Sequence, residues 1–184
     1  MPFKILRKEK LNSVVSLIEL EAPLVADEAR AGQFIVLRID ETGERIPLTV
    51  AKRDPAKGVI TIVFQEAGKT TRKLASLNVG DSILDLIGPL GTATEFGHVG
   101  KVVFIGGGVG VAELVPVIGY AKANQNQITT IIGARTKELV LLEEEVRSLS
   151  EEVIVMTDDG SCGQKGLVTD ALNALLSQIG RAHV

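Results

Sequence analysis

The chain has 184 residues, 45% of them hydrophobic and 23% charged, with a formal net charge of −3. It can fill one large packed domain or two small ones and is too apolar to be disordered. Acidic and basic residues are mixed without a Lys/Arg cluster, which excludes a nucleic-acid surface, and no apolar run approaches the ~20 residues of a membrane span.

The first residues, Met1-Pro2-Phe3-Lys4-Ile5-Leu6-Arg7, lack the apolar core of an export signal. With a single cysteine, Cys162, no internal disulfide is possible, and a cytoplasmic location is expected. From Phe3 to about Ile87 the chain reads as short strands. Val14–Leu20, Phe34–Ile39, Val59–Phe64 and Ser82–Ile87 are rich in β-branched residues and bounded by Gly, Pro, Asp or Asn. Only Thr70–Leu77 has helical character, with Leu74 and Leu77 three apart. Strands so spaced predict a small antiparallel barrel or sandwich, with any ligand on its outside or at its mouth.

Three stretches of this half suggest more than scaffold. In Arg45-Ile46-Pro47-Leu48-Thr49, strand alternation puts Arg45, Pro47 and Thr49 on one face. A guanidinium fork there suits a diphosphate and a hydroxyl suits a ring nitrogen, although an edge-strand surface arginine reads the same way. Gly68-Lys69-Thr70-Thr71 opens a helix, offering free N–H groups to an anion or simply capping that helix. Gly88-Pro89-Leu90-Gly91 reads as a rigid turn after the last strand, or as a linker.

From Lys101 the pattern becomes strand then helix. Lys101–Ile105 is a predicted strand, followed by Gly106-Gly107-Gly108-Val109-Gly110 and a helix over Val111–Asn124 with an irregular start because of Pro116. Strands are predicted at Gln127–Ile132 and Val153–Met156, and helices at Leu139–Leu149 and from Gly166 onward. This alternation predicts a parallel sheet with right-handed crossovers, whose ligands bind beyond the carboxyl ends of the strands. Gly106–Gly110, Gly133–Thr136 and Thr157–Gly160 all fall at that rim. The glycine loop departs from the ordinary dinucleotide fingerprint, with Val111 at the third glycine position and no acid after the second strand. Four glycines in five positions still favour a phosphate over a mere tight turn. Arg135 fits a nucleotide phosphate or a strand-end cap. Asp158 and Asp159 fit a ribose, a cation or an Asx turn, but are too few to ligate magnesium or calcium.

Taken in order, R-x-P-x-T, G-K-T-T, G-P-L-G and G-G-G-V-G-V-A, with Thr157-Asp158-Asp159-Gly160-Ser161, resemble the ferredoxin–NADP reductase superfamily. Within it the chain is similar to the electron-transfer subunits of dihydroorotate dehydrogenase and the small subunits of NADH-dependent ferredoxin:NADP oxidoreductase. The resemblance implies a two-domain β plus α/β protein: an antiparallel FAD-binding β-barrel over residues 1–97, then a parallel-sheet NAD(P)-binding α/β domain over 98–176. It implies that Arg45 pairs with the FAD diphosphate, that Thr49 sits at the flavin N5 as the reaction-site residue, and that Pro47 and Leu48 line the flavin. Gly68, Lys69, Thr70 and Thr71 would cradle the diphosphate. Gly106, Gly107, Gly108, Val109 and Gly110 would admit NAD(H) or NADP(H), with Arg135 and Asp158 nearby. The implied function is electron transfer between NAD(P)H and a catalytic or large flavoprotein subunit, with ferredoxin as a further partner. The alternative is a redox-inactive flavin-binding regulatory or scaffold subunit.

Two departures stand out. Glu113 occupies a position where many relatives have proline, and its carboxylate would repel nucleotide phosphates unless it turns outward. The family's [2Fe–2S] cluster needs four thiolates and this chain has one cysteine, so the cluster is expected only in a full-length protein. Residues 177–184 break the apolar period of the last helix and look like a translated adapter, so a non-native tail on a C-terminally truncated domain is expected.

Overall fold

The computed structural model describes residues 3–180. The chain divides into two compact units, Met1–Glu95 and Phe96–Val184. Phe96, the first residue of the second unit, stacks edge-on against Tyr120, with ring centroids 5.7 Å apart.

The first unit carries β1 (Phe3–Lys10), β2 (Val15–Glu21), α1 (Pro23–Glu28), β3 (Phe34–Arg38), β4 (Ile46–Asp54), β5 (Val59–Gln65), α2 (Lys69–Ser76), β6 (Ser82–Ile83) and β7 (Asp85–Leu90). Its strands form one antiparallel sheet in the order β6-β1-β2-β5-β4-β3-β7. The two edge strands β6 and β7 are separated in sequence by Leu84 alone, so the sheet must roll into a nearly closed barrel. Ile5, Ile18, Leu20, Ile35, Leu37, Ile60, Ile62 and Phe64 fill the interior, and Leu74 of α2 plugs it.

β4 makes the corner that matters. It pairs with β3 over Ile46–Thr49 and with β5 only from Val50 onward, with a register shift at Ala51. The Val50 N–H bonds to the Gln33 carbonyl. Since bonding alternates along an antiparallel pair, the backbone groups of Pro47 and Thr49 point away from β3. That side has no strand partner until Val50, so the missing N–H of Pro47 costs no ladder bond.

Gly88-Pro89-Leu90 is not a turn after the last strand but the end of β7, where Leu90 pairs with Phe34. The register slips between Phe34 and Val36, so Gly88 and Pro89 sit in a bulge, a position where proline is tolerated.

The second unit carries β8 (Lys101–Gly107), α3 (Gly110–Ala123), β9 (Gln127–Ala134), α4 (Glu143–Leu149), β10 (Glu152–Thr157), β11 (Gln164–Lys165) and α5 (Val168–Gly180). Its sheet is parallel, in the order β11-β10-β9-β8. α3 and α4 pack on one face with Phe104, Ile128, Ile132 and Val155. α5 packs on the other with Ile131 and Met156. Pro116 lies inside α3, whose first turn closes with short-range bonds from Val111 to Gly108 and from Ala112 to Val109.

The predicted helix over Leu139–Leu149 is shorter than expected. A 3-10 turn covers Lys137–Leu139, Leu142 adopts a left-handed φ of 54°, and α4 begins only at Glu143. Leu139-Val140-Leu141-Leu142 has no polar face to present to water, and Val140, Leu141 and Leu142 all bury against the unit. Three glutamates then start α4 where the helix dipole favours negative charge. α5 runs on to Gly180 through the break in its apolar pattern, and residues 181–184 of the expected tail lie outside the described residues.

Candidate functional site

Three loops at the carboxyl ends of the parallel strands are stitched together by backbone bonds. The Gly108 N–H donates to the Gly133 carbonyl at 2.9 Å, Asp158 N–H to Ala134 at 3.2 Å, and Asp159 N–H to Arg135 at 3.4 Å. The Lys137 N–H donates to the Ser161 hydroxyl. The last loop is pinned from below by Thr157, fully buried, whose hydroxyl donates to the Cys162 carbonyl at 2.7 Å and accepts its N–H at 3.1 Å. Thr157→Val keeps the shape and orphans both groups, so urea unfolding is expected to register a loss of about 1–3 kcal/mol.

The glycines of the first loop divide into two kinds. A Cβ on Gly106 would lie 2.7 Å from Leu114 Cδ1 and 3.3 Å from the backbone of Val111, so close strand–helix packing demands glycine there. Gly108 has a φ of +54°, a conformation natural to glycine. Gly107 and Gly110 answer to neither need. A Cβ on Gly107 would meet only the Gly133 carbonyl at 3.9 Å, and one on Gly110 would meet nothing within 4 Å. These two glycines keep open a space at the start of α3, beside its N-cap Val109 and its dipole.

Around this space Arg135 is exposed, and among the described residues no carboxylate pairs with it. The two acids of the third loop part company. Asp159 closes an Asx turn by accepting the N–H and hydroxyl of Ser161, and that hydroxyl holds it below the ordinary carboxylate range. Asp158 is exposed and left available. Glu113 is also exposed, in the first turn of α3, so it turns outward. Cys162 is half-buried and packs with the α3–α4 face.

In the barrel unit, Ile46 and Leu48 pack inward, and the Leu48 backbone faces Ile35 of β3. Arg45, Pro47 and Thr49 lie on the outer face, where Thr49 stands opposite Phe34 and Pro47 opposite Val36. Arg45 is about half exposed and donates to Asp85 at 3.0 Å. Gly68 is the N-cap of α2, and its N–H is accepted by the Thr71 hydroxyl at 3.0 Å. The first intrahelical bond runs from Arg72 N–H to Gly68, which leaves the N–H groups of Lys69, Thr70 and Thr71 without helical partners. A Cβ on Gly68 would have only the Thr71 hydroxyl, at 4.0 Å.

This helix start and Arg45 are brought together by the loop between β3 and β4. Glu44, adjacent to Arg45, accepts the Thr70 hydroxyl at 3.3 Å, and Asp40 pairs with Lys73, the chief cause of its lowered pKa. The Glu44 carboxylate thus lies against the first turn of α2. Elsewhere in the unit a cleft of about 380 Å³ is lined by Glu28, Arg30, Gln33, Pro89, Thr92, Ala93 and Glu95, none of them a predicted site residue. Arg38 and Asp85, which no motif marks, lie close to Arg45. Only the strand register reveals them.

No protein-family model matches the chain. The chain is 45% identical over 175 residues to the dihydroorotate dehydrogenase B (NAD(+)) electron transfer subunit homolog of Thermotoga maritima, covering 95% of this chain and 62% of that protein. It is 31% identical over 180 residues to the dihydroorotate dehydrogenase B (NAD(+)) electron transfer subunit of Streptococcus pneumoniae serotype 4, covering 95% of this chain and 71% of that one. Among solved structures it matches a chain of the NADH-dependent reduced ferredoxin-NADP oxidoreductase, solved for insight into flavin-based electron bifurcation. That match has a TM-score of 0.92 and 43% identity over 96% of this chain and 63% of that one. The chain therefore spans a little under two thirds of several of the proteins it matches. With the barrel, the parallel sheet and these identities together, the chain belongs to the family of dihydroorotate dehydrogenase B electron transfer subunits.

Proposed function

We propose that the chain is the flavin- and nicotinamide-binding part of an electron-transfer subunit. It takes FAD on the barrel unit and NADH or NADPH at the rim of the parallel sheet, and serves a catalytic or large flavoprotein subunit. The observation that carries this reading is three glycines at or beside helix starts that neither packing nor backbone requires, Gly68 in one unit and Gly107 and Gly110 in the other. Each leaves room at a helix start, where backbone N–H groups and the dipole favour phosphate.

A flavin, when bound, supplies the redox chemistry, taking a hydride from a reduced nicotinamide and releasing electrons singly. The chain's own residues bind and orient. Arg45 and the N–H groups of Lys69, Thr70 and Thr71 hold the diphosphate, and Thr49 presents its hydroxyl and free backbone edge to the ring. Gly107 and Gly110 admit the nucleotide phosphates, and Asp158 and Arg135 stand beside them. NADH is favoured, since the relatives named above carry NAD(+) or NADH in their names. The residues present do not fit a [2Fe–2S] cluster, which needs four thiolates where this sequence has one, and no step here runs through it. Such a cluster, and ferredoxin as a partner, are proposed for the longer protein only.

The purified chain, reconstituted with FAD, is expected to be yellow and to bleach on anaerobic addition of NADH. Failure to take up FAD would overturn the reading. FAD uptake with no bleaching by NADH or NADPH would make the chain a redox-inactive scaffold instead. Arg45→Ala is expected to weaken FAD retention by about 1.5–3 kcal/mol, one charge-assisted contact, read as flavin content after gel filtration.

A further inference from the structure

The outer face of the barrel carries a charged row that no motif marks. β3 and β4 pair as far as Leu37 opposite Ile46, and Arg38 and Arg45 are the next residues on the two sides, both with guanidiniums close to Asp85. On the other side of β3, Arg38 stands opposite Asp85 of β7. Two guanidiniums and one carboxylate therefore line up across three adjacent strands. Asp85 hydrogen-bonds Arg45 at 3.0 Å but stands 3.7 Å from Arg38, beyond hydrogen-bond range. The Nε of Arg38 is sealed from solvent and, among the described residues, has no acceptor.

As scaffold this arrangement is poor. Like charges held side by side at a sheet surface repel, and a buried N–H without a partner adds to that cost. One carboxylate leaves one positive charge uncompensated. The arrangement becomes favourable when a further anion bridges both arginines. A diphosphate diester carries two negative charges and several acceptor oxygens, and the start of α2, with its free N–H groups, lies next to Arg45 through Glu44.

We infer that Arg38 and Arg45 form a two-guanidinium seat for the diphosphate of a flavin dinucleotide, with Asp85 as the internal counter-ion that the phosphates displace. This rests on the barrel unit holding FAD. Arg38 is then a binding residue in its own right, and Asp85 sets how much positive charge the empty seat presents.

The test compares FAD with riboflavin, which has the same ring and no phosphate. Flavin fluorescence titrations would use the 184-residue chain and its Arg38→Met, Arg45→Met and Asp85→Asn variants. Arg38→Met is expected to raise the Kd for FAD about tenfold while leaving that for riboflavin within about twofold. Asp85→Asn is expected to lower the Kd for FAD severalfold, a tightening that a damaged fold cannot produce. The seat is overturned if Arg38→Met leaves FAD binding unchanged, if it weakens FAD and riboflavin alike, or if Asp85→Asn weakens FAD. A loss confined to Arg45→Met would remove Arg38 from the seat and leave the flavin reading standing. If the unsubstituted chain binds neither flavin, that reading fails, and the seat with it.

Discussion

Gly107→Val is expected to leave both units folded and FAD bound, yet to slow reduction of the flavin by NADH about tenfold or more, the loss of one or two phosphate contacts. Gly107 ends β8 with no left-handed φ, and its added Cβ would find only one carbonyl, 3.9 Å away. A β-branched residue at such a strand position is tolerated, so the change in stability should stay within about 0.5 kcal/mol. The new methyl groups would instead fill the space through which a phosphate reaches the start of α3. Gly106→Val, one residue earlier, is the control with the opposite outcome. Its Cβ would press on Leu114 and on the Val111 backbone, so it should destabilise the second unit by about 1–3 kcal/mol. Thermal melts and NADH-dependent flavin bleaching separate the two. Wild-type NADH kinetics in Gly107→Val would remove the glycine loop from the nucleotide site.

The division between these two glycines marks what a sequence can convey. Strand–glycine loop–helix is a local pattern, and the parallel sheet followed from it directly. The antiparallel barrel was equally legible, because its β-branched runs and turns repeat at short range. What failed was what depends on tertiary packing. Leu139–Leu142 looked helical by spacing, but four adjacent apolar residues bury on several sides at once and prefer an irregular path. Gly88-Pro89 looked like a turn because proline seldom sits in a strand, and only the bulge opposite Ile35 makes room for it. Arg45 and Thr49 could be singled out as candidates because they share a short motif. Arg38 and Asp85 are as close to Arg45 in space, but they come from other strands, and a register is not written in any one stretch of sequence. Asp158 and Asp159 were indistinguishable until Ser161 took one of them.

Asn126 gave no sequence signal at all, and its removal is expected to produce one of the largest stability losses in the second unit. It is 4% exposed and lies just past the end of α3. Its Oδ1 accepts the N–H groups of Val99 at 2.7 Å and Gly100 at 3.2 Å. Its Nδ2 donates to the carbonyls of Gly97 at 3.2 Å, Ala121 at 3.0 Å and Asn124 at 3.4 Å. One side chain thus ties the segment entering β8 to the end of the helix that leaves the glycine loop. Asn126→Leu keeps the volume and orphans two part-buried N–H donors, each worth about 1–3 kcal/mol, so a total of about 2–6 kcal/mol is expected in urea unfolding. Asn126→Asp keeps the acceptor but sets a buried carboxylate against three carbonyls, which raises its pKa in the folded state. A group so raised contributes its stability below its unfolded pKa of about 3.9 and loses it as pH rises through the folded value. The deficit of Asn126→Asp relative to wild type should therefore shrink on acidification, while that of Asn126→Leu should not. If both deficits are small, or if they follow pH in parallel, Asn126 does not hold the entry to β8, and the glycine loop owes its position to the strand–helix packing at Gly106 alone.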